Sequence, residues 1–85
     1  MDAHKLVKMA NDIGSFFASE PDHQTALDGV AGHIRRFWDP RMRKALLAWI
    51  DDNAGAGLTP LVLESIRANH EKLAPPPAAP RGPAA

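Results

Sequence analysis

Four histidines are the first residues in this sequence that could do chemistry, because an imidazole can bind a metal ion or transfer a proton. They are His4, His23, His33 and His70. No two of them have the four-residue helical spacing of a metal site, and the chain has no cysteine that could complete a ligand set. The spacing therefore favours solvated or hydrogen-bonded histidines, and it predicts no metal-binding or catalytic histidine.

Other patterns that can signal catalysis are equally incomplete. Asp51 and Asp52 are adjacent, so on a helix their carboxylates diverge by about 100° and do not form an acid and base pair. The segment Gly55-Ala56-Gly57 lacks the third glycine or the Gly-Lys-Ser/Thr ending of a phosphate-binding loop. No serine has the flanking glycines of a nucleophile elbow. We therefore expect no enzymatic activity and no cofactor site in this chain.

The chain is short for a domain that must be stable alone. It has 85 residues, and positions 74–85 contain only Ala, Pro, Gly and one Arg. We expect one folded domain over residues 1–73 and a disordered Pro/Ala-rich tail over residues 74–85. A core of this size supplies only about 3–5 kcal/mol of net stability, and no disulfide can add to it. A partner protein is the leading candidate for further stability.

Charge and hydropathy exclude several classes of ligand and location. Lys plus Arg and Asp plus Glu number 10 each, so the net charge of zero gives no reason to expect nucleic acid or a membrane surface. The longest apolar run, Ala45 to Ile50, is far shorter than the roughly 18 residues of a membrane span. The N-terminus lacks the apolar stretch of a secretory signal. The expected location is the cytoplasm.

Apolar residues recur at steps of three and four, which predicts an all-α fold. The predicted helices cover about residues 2–19, 22–37, 40–53 and 60–73. Asp22 and Asp39 are predicted N-caps, and Asp39-Pro40 and Thr59-Pro60 each mark the start of a helix. The expected architecture is a compact bundle of four short helices, with helices two and three in an angled hairpin at Asp39-Pro40 and helix one packed across them.

The junction of predicted helices two and three is dense in residue types that bind partners. It carries Arg35, Arg36, Phe37, Trp38, Arg41, Arg43 and Lys44 around Asp39-Pro40. Asp39 also lies one helical turn before Arg43, the spacing of an ion pair. In one interpretation the two aromatic residues fill the core and the arginine stems cover them. In a second, Arg and Trp side chains form an interface hot spot.

The third interpretation is a small helix-turn-helix nucleic-acid-binding protein, in which the basic cluster contacts phosphates. Acidic residues elsewhere, and Asp39 within the cluster, weaken this alternative. The first two interpretations are compatible, with Phe37 inward and part of the arginine set outward.

Two predicted helices carry more apolar surface than a small bundle needs to bury. Phe16 and Phe17 are adjacent, so a helix packed on one face buries only one of them well and leaves the other for a partner. In helix three, Leu46, Leu47, Trp49 and Ile50 cover more than half of the circumference. This surplus predicts docking on another protein. The candidate partner-binding residues are Phe17, Arg35, Arg36, Phe37, Trp38, Arg41 and Arg43.

Three segments together resemble a known family. They run from Lys5 to Phe17, from Ile34 to Arg43 and from Gly55 to Val62, and the most specific is Arg36-Phe37-Trp38-Asp39-Pro40-Arg41-Met42. In this order they are similar to the delta subunit of NAD-dependent, molybdenum- or tungsten-containing formate dehydrogenases.

The resemblance implies an accessory subunit that supports the assembly or stability of a complex by docking on its catalytic alpha subunit. It implies that the other subunits carry bis-molybdopterin guanine dinucleotide, iron–sulfur clusters, FMN and NAD. It offers no catalytic residues for this chain.

Overall fold

The computed structural model describes residues 2–75, and all regular structure within them is helical. The helices are α1 (Ala3–Phe17), α2 (His23–Phe37), α3 (Pro40–Asn53), α4 (Pro60–Ala68) and the single turn α5 (His70–Leu73). The predicted all-α fold is confirmed. Most of the predicted disordered tail, residues 76–85, lies outside the described part of the chain.

Aspartate side chains start the first three helices. Asp39 accepts a hydrogen bond from the Met42 backbone amide at 3.0 Å, and Pro40 follows it as the first helical residue. Asp22 accepts from the hydroxyl and the backbone amide of Thr25, at 2.6 and 2.9 Å. These two bonds, the hydroxyl first, lower the pKa of the Asp22 carboxyl below its ordinary value of 3.8. Both aspartate caps predicted from the sequence are confirmed.

The fourth predicted helix is interrupted at Asn69. Its backbone leaves the helical region, with φ −116° and ψ 24°, and its side-chain amide donates to the Ser65 carbonyl at 2.8 Å. The Asn69 backbone amide also donates to this carbonyl, at 3.1 Å, so the side chain and the backbone share one acceptor where α4 ends. The chain then turns once more as α5, which places Leu73 in the core.

A glycine-rich loop between α3 and α4 reverses the chain. Gly55 and Gly57 have φ values of 74° and 88°, a region that glycine enters without steric cost. Asn11 holds this loop from α1. Its side-chain amide donates to the Gly57 carbonyl at 2.9 Å, and its side-chain oxygen accepts from the Thr59 amide at 3.0 Å.

Helix α1 packs against α2, α3 and α4, while α5 fills the space between α2, α3 and α4. The core consists of Leu6, Val7, Ala10, Val30, Ile34, Trp38, Leu46, Leu47, Ile50, Val62, Ile66 and Leu73. Although Asp39-Pro40 joins α2 to α3, these two helices pack against α1 and not along each other. None of the helices in residues 2–75 is long and apolar enough to cross a bilayer.

Gly14 permits the close crossing of α1 and α4, and we expect Gly14→Ala to destabilise the fold. A Cβ atom at this position would overlap Cγ2 of Val62, which is fully buried and has a stiff side chain. We expect a net loss of about 1–2 kcal/mol after the gain in helix propensity is included. Urea unfolding followed by circular dichroism measures it.

Gly32→Ala is the matched control for this prediction. Gly32 lies within α2, and an added Cβ would have no neighbour within 4 Å. We expect Gly32→Ala to stabilise the fold by about 0.5–1 kcal/mol. Equal shifts of the two variants in the same direction would contradict the close crossing.

Candidate functional site

A cluster of aromatic and apolar side chains lies on the outside of the bundle where α1 and α2 meet. We call it the aromatic face, and it consists of Ile13, Phe16, Phe17, His33 and Phe37. The Phe16 side chain is 76% exposed and that of Phe37 is 69% exposed. Two phenylalanines this exposed on so small a domain are unusual, because each leaves a large apolar surface in water.

Phe17 joins the two helices of the aromatic face. It is half-buried, and its ring covers Gly29 so closely that a Cβ there would overlap it. Phe16 meets the Phe17 ring edge to face, with centroids 5.0 Å apart. The sequence predicts that only one of these neighbours is well buried; Phe17 is the more enclosed of the two, but it is only half-buried. Helix α1 turns Leu6, Val7, Ala10 and Gly14 inward, which leaves Phe16 outside.

Two grooves run across the aromatic face. One of about 270 Å³ is lined by Ile13, Phe16, Phe17 and His33. The other, of about 280 Å³, lies over Gly29 and Gly32 between Phe17 and Phe37 and is bordered by Asp28, His33 and Arg36. Because the glycines have no side chains, the second groove leaves room between the aromatic rings. Each groove has the size and lining to receive apolar side chains of another protein.

The structure separates Phe37 from Trp38, which one interpretation of the sequence placed together in the core. Phe37 was expected to point inward, but it is the last residue of α2 and its ring lies 4.7 Å from that of His33, one turn earlier on the outer surface. Trp38 is only 5% exposed and belongs to the core. Its extended backbone, with φ −93° and ψ 133°, turns the chain away from the helical path. Trp38 is therefore inaccessible to a partner in this conformation.

The four candidate arginines divide into two groups. Arg35, Arg36 and Arg41 are exposed, whereas Arg43 is 7% exposed and its Nε atom has no hydrogen-bond partner among residues 2–75. The ion pair suggested by the Asp39 to Arg43 spacing does not form. The Asp39 carboxylate caps α3, and the Arg43 side chain lies on the buried face of that helix.

The prediction of surplus exposed apolar surface on helix three is wrong. Leu46, Leu47 and Ile50 are all buried, because both α1 and α5 pack against α3. Trp49 is half-buried, and its indole Nε1 donates to the Ala56 carbonyl at 3.0 Å. The exposed apolar surface that remains belongs to α1 and α2.

Titratable side chains form no metal-binding cluster in the part of the chain that the structure describes. No three His, Asp or Glu side chains among residues 2–75 come together as metal ligands. His23 Nε2 lies 2.9 Å from Glu64 Oε1, and this contact links the start of α2 to α4. Nor do α2 and α3 pack together as the two helices of a helix-turn-helix do, so the nucleic-acid alternative has no support from their arrangement.

Comparison with known families gives one match. A family model described as the NADH-dependent formate dehydrogenase delta subunit, FdsD, matches residues 5–66, which include all three segments on which the resemblance rests. The comparison with curated proteins found no match, and the comparison with solved structures found none either. Because the match covers well over half of the chain, the resemblance is confirmed, and the chain belongs to the NADH-dependent formate dehydrogenase delta subunit family.

Proposed function

We propose that this chain is a non-catalytic accessory subunit of an NAD-dependent formate dehydrogenase. In this proposal it docks on the catalytic alpha subunit through the aromatic face and supports the assembly or stability of the complex. The family match supports membership of such a complex. Phe16 and Phe37 support the docking step, since both present most of an aromatic ring to solvent beside grooves that can receive apolar side chains.

Docking would stabilise both proteins by mass action. A protein that binds only the folded form of its partner raises the stability of that form by an amount that grows with the ratio of its concentration to the Kd. Burial of Phe16 and Phe37 would provide much of the binding free energy, because large aromatic residues dominate interface hot spots. Arg35, Arg36 and Arg41 are exposed and would steer an acidic partner surface toward the chain.

In this proposal the redox groups belong to the other subunits. Bis-molybdopterin guanine dinucleotide, iron–sulfur clusters, FMN and NAD would carry formate oxidation there. Residues 2–75 of this chain gather no set of side chains suited to hold a metal or cluster. The complex would work in the cytoplasm.

Co-expression with the other subunits tests the proposal. We expect a tagged alpha subunit to retain this chain at a fixed ratio. Without the chain, we expect a lower yield of complex or a faster loss of NAD-dependent formate oxidation on warming. The isolated chain should not oxidise formate with NAD.

Two outcomes would contradict the proposal. One is an equal yield and an equal thermal lifetime of the complex with and without the chain. The other is a shift of duplex or single-stranded nucleic acid by the chain at low salt that weakens steeply as salt is added, which would favour the helix-turn-helix alternative.

A further inference from the structure

Arg43 is a buried cation for which the described part of the chain provides no partner. The residue is 7% exposed, and its Nε atom is enclosed without a hydrogen bond. A buried charge that lacks both a counter-ion and hydrogen bonds is strongly unfavourable, and proteins usually pair such groups or avoid them. Of the guanidinium nitrogens, Nε is the one that the structure shows enclosed without a partner among residues 2–75.

Within residues 2–75, no carboxylate forms an ion pair with Arg43. The ion pairs among residues 2–75 join His4 to Asp2, Lys8 to Asp12 and His23 to Glu64. Asp39, one turn before Arg43 on the same helix, is the natural candidate. Its carboxylate instead accepts the Met42 amide hydrogen bond that starts α3.

Positive charge is concentrated around Arg43, although the whole chain is neutral. Between positions 35 and 44 lie five of the 10 basic residues, Arg35, Arg36, Arg41, Arg43 and Lys44, but only one acidic residue, Asp39. None of these five cations takes part in an ion pair within residues 2–75. Arg36 of this basic corner borders the groove between Phe17 and Phe37, so the corner reaches the aromatic face there. The charge imbalance fits an acidic partner surface.

We propose that Arg43 receives a carboxylate of the protein that docks on the aromatic face. The inference rests on the proposed function and adds the chemistry of the contact. A glutamate or aspartate side chain of the partner accepts hydrogen bonds from the two Nη atoms, a geometry that the flat guanidinium fork favours. The partner thereby supplies a counter-charge that residues 2–75 do not provide.

Arg43→Met tests this assignment with two readouts, the melting temperature of the isolated chain and the affinity for the catalytic subunit. Methionine keeps an unbranched apolar stem but removes an unpaired buried charge, so we expect an unchanged or higher melting temperature. For the complex we expect at least about 30-fold weaker binding, because the partner's carboxylate is left without a counter-charge. An arginine that served only the fold would not combine an unchanged or higher melting temperature with weaker binding when it is replaced.

Arg41→Met is the matched control, since Arg41 is an exposed cation two positions earlier. We expect Arg41→Met to weaken binding by less than about fivefold, and this effect should vanish in 0.5 M salt. The weaker binding of Arg43→Met should persist in 0.5 M salt, because salt screens enclosed ion pairs poorly. Arg43→Lys, which keeps the charge and most of the stem, should bind at least about fivefold more weakly than the wild type.

The outcomes separate this inference from the proposed function. If the wild-type chain does not bind the catalytic subunit, the proposed function fails. If the wild type binds and Arg43→Met binds equally well, the carboxylate contact alone is overturned. If Arg43→Met melts at a lower temperature than the wild type, the affinity of Arg43→Lys decides whether the contact exists. An Arg43→Lys affinity equal to that of the wild type would also overturn the carboxylate contact.

Discussion

Trp38→Ala is expected to unfold the isolated chain. Trp38 is 5% exposed and packs in the single core, and truncation of a buried tryptophan to alanine typically costs about 3–5 kcal/mol. That is as large as the whole net stability of a core of this size, about 3–5 kcal/mol. Far-ultraviolet circular dichroism at 25 °C should show the loss of most of the helical signal.

Phe37→Ala is the matched control for Trp38→Ala, because it removes the neighbouring aromatic ring. Phe37 is 69% exposed, so we expect its loss to change the free energy of unfolding by less than about 1 kcal/mol. Equal stability of the two variants would contradict the inward orientation of Trp38. Because Trp38→Ala acts on folding, loss of a complex in this variant would say nothing about the docking surface.

Helix starts were predictable because they depend on local chemistry. A capping aspartate satisfies free amides of the first helical turn, and proline suits the first helical position, so Asp39-Pro40 marks the start of α3 without reference to the rest of the fold. The same holds for Asp22 and α2. The break at Asn69 escaped prediction because the apolar stripe continues past it to Leu73, although α4 ends at Ala68.

Which side chains face outward was harder to predict, because it depends on contacts between distant segments. Phe37 and Trp38 are neighbours, but Phe37 lies beside His33 on the outside of α2, whereas Trp38, with an extended backbone, packs in the core with residues of other helices. The apolar side chains of α3 are covered in part by α5, a single helical turn that packs against α3. No feature of the sequence predicts α5 as a separate turn. The burial of Arg43 breaks the usual rule that arginine is exposed.

The second large effect is expected in binding, from the double substitution Phe16→Gln and Phe37→Gln. Glutamine is a good helix former without charge, so the change removes two exposed rings while the helices and the net charge stay as they are. Each of two central aromatic anchors contributes on the order of 2 kcal/mol or more, and such contributions are not fully additive. We therefore expect the affinity for the catalytic subunit to fall at least about 100-fold.

The double variant should keep its fold. Both rings are more than two-thirds exposed, and their main losses are the edge contact with Phe17 and the tilted contact with His33. We expect a change in the free energy of unfolding of about 1 kcal/mol or less. The matched control is Ala48→Gln with Ala68→Gln, two exposed helical positions outside the aromatic face.

Isothermal titration of the catalytic subunit with the wild-type chain, the Phe16→Gln/Phe37→Gln variant and the Ala48→Gln/Ala68→Gln control tests docking through the aromatic face most directly. We predict that the control binds within about threefold of the wild type, while the phenylalanine variant binds at least about 100-fold more weakly with its helical content retained. A folded phenylalanine variant that binds as tightly as the wild type would contradict docking through this face.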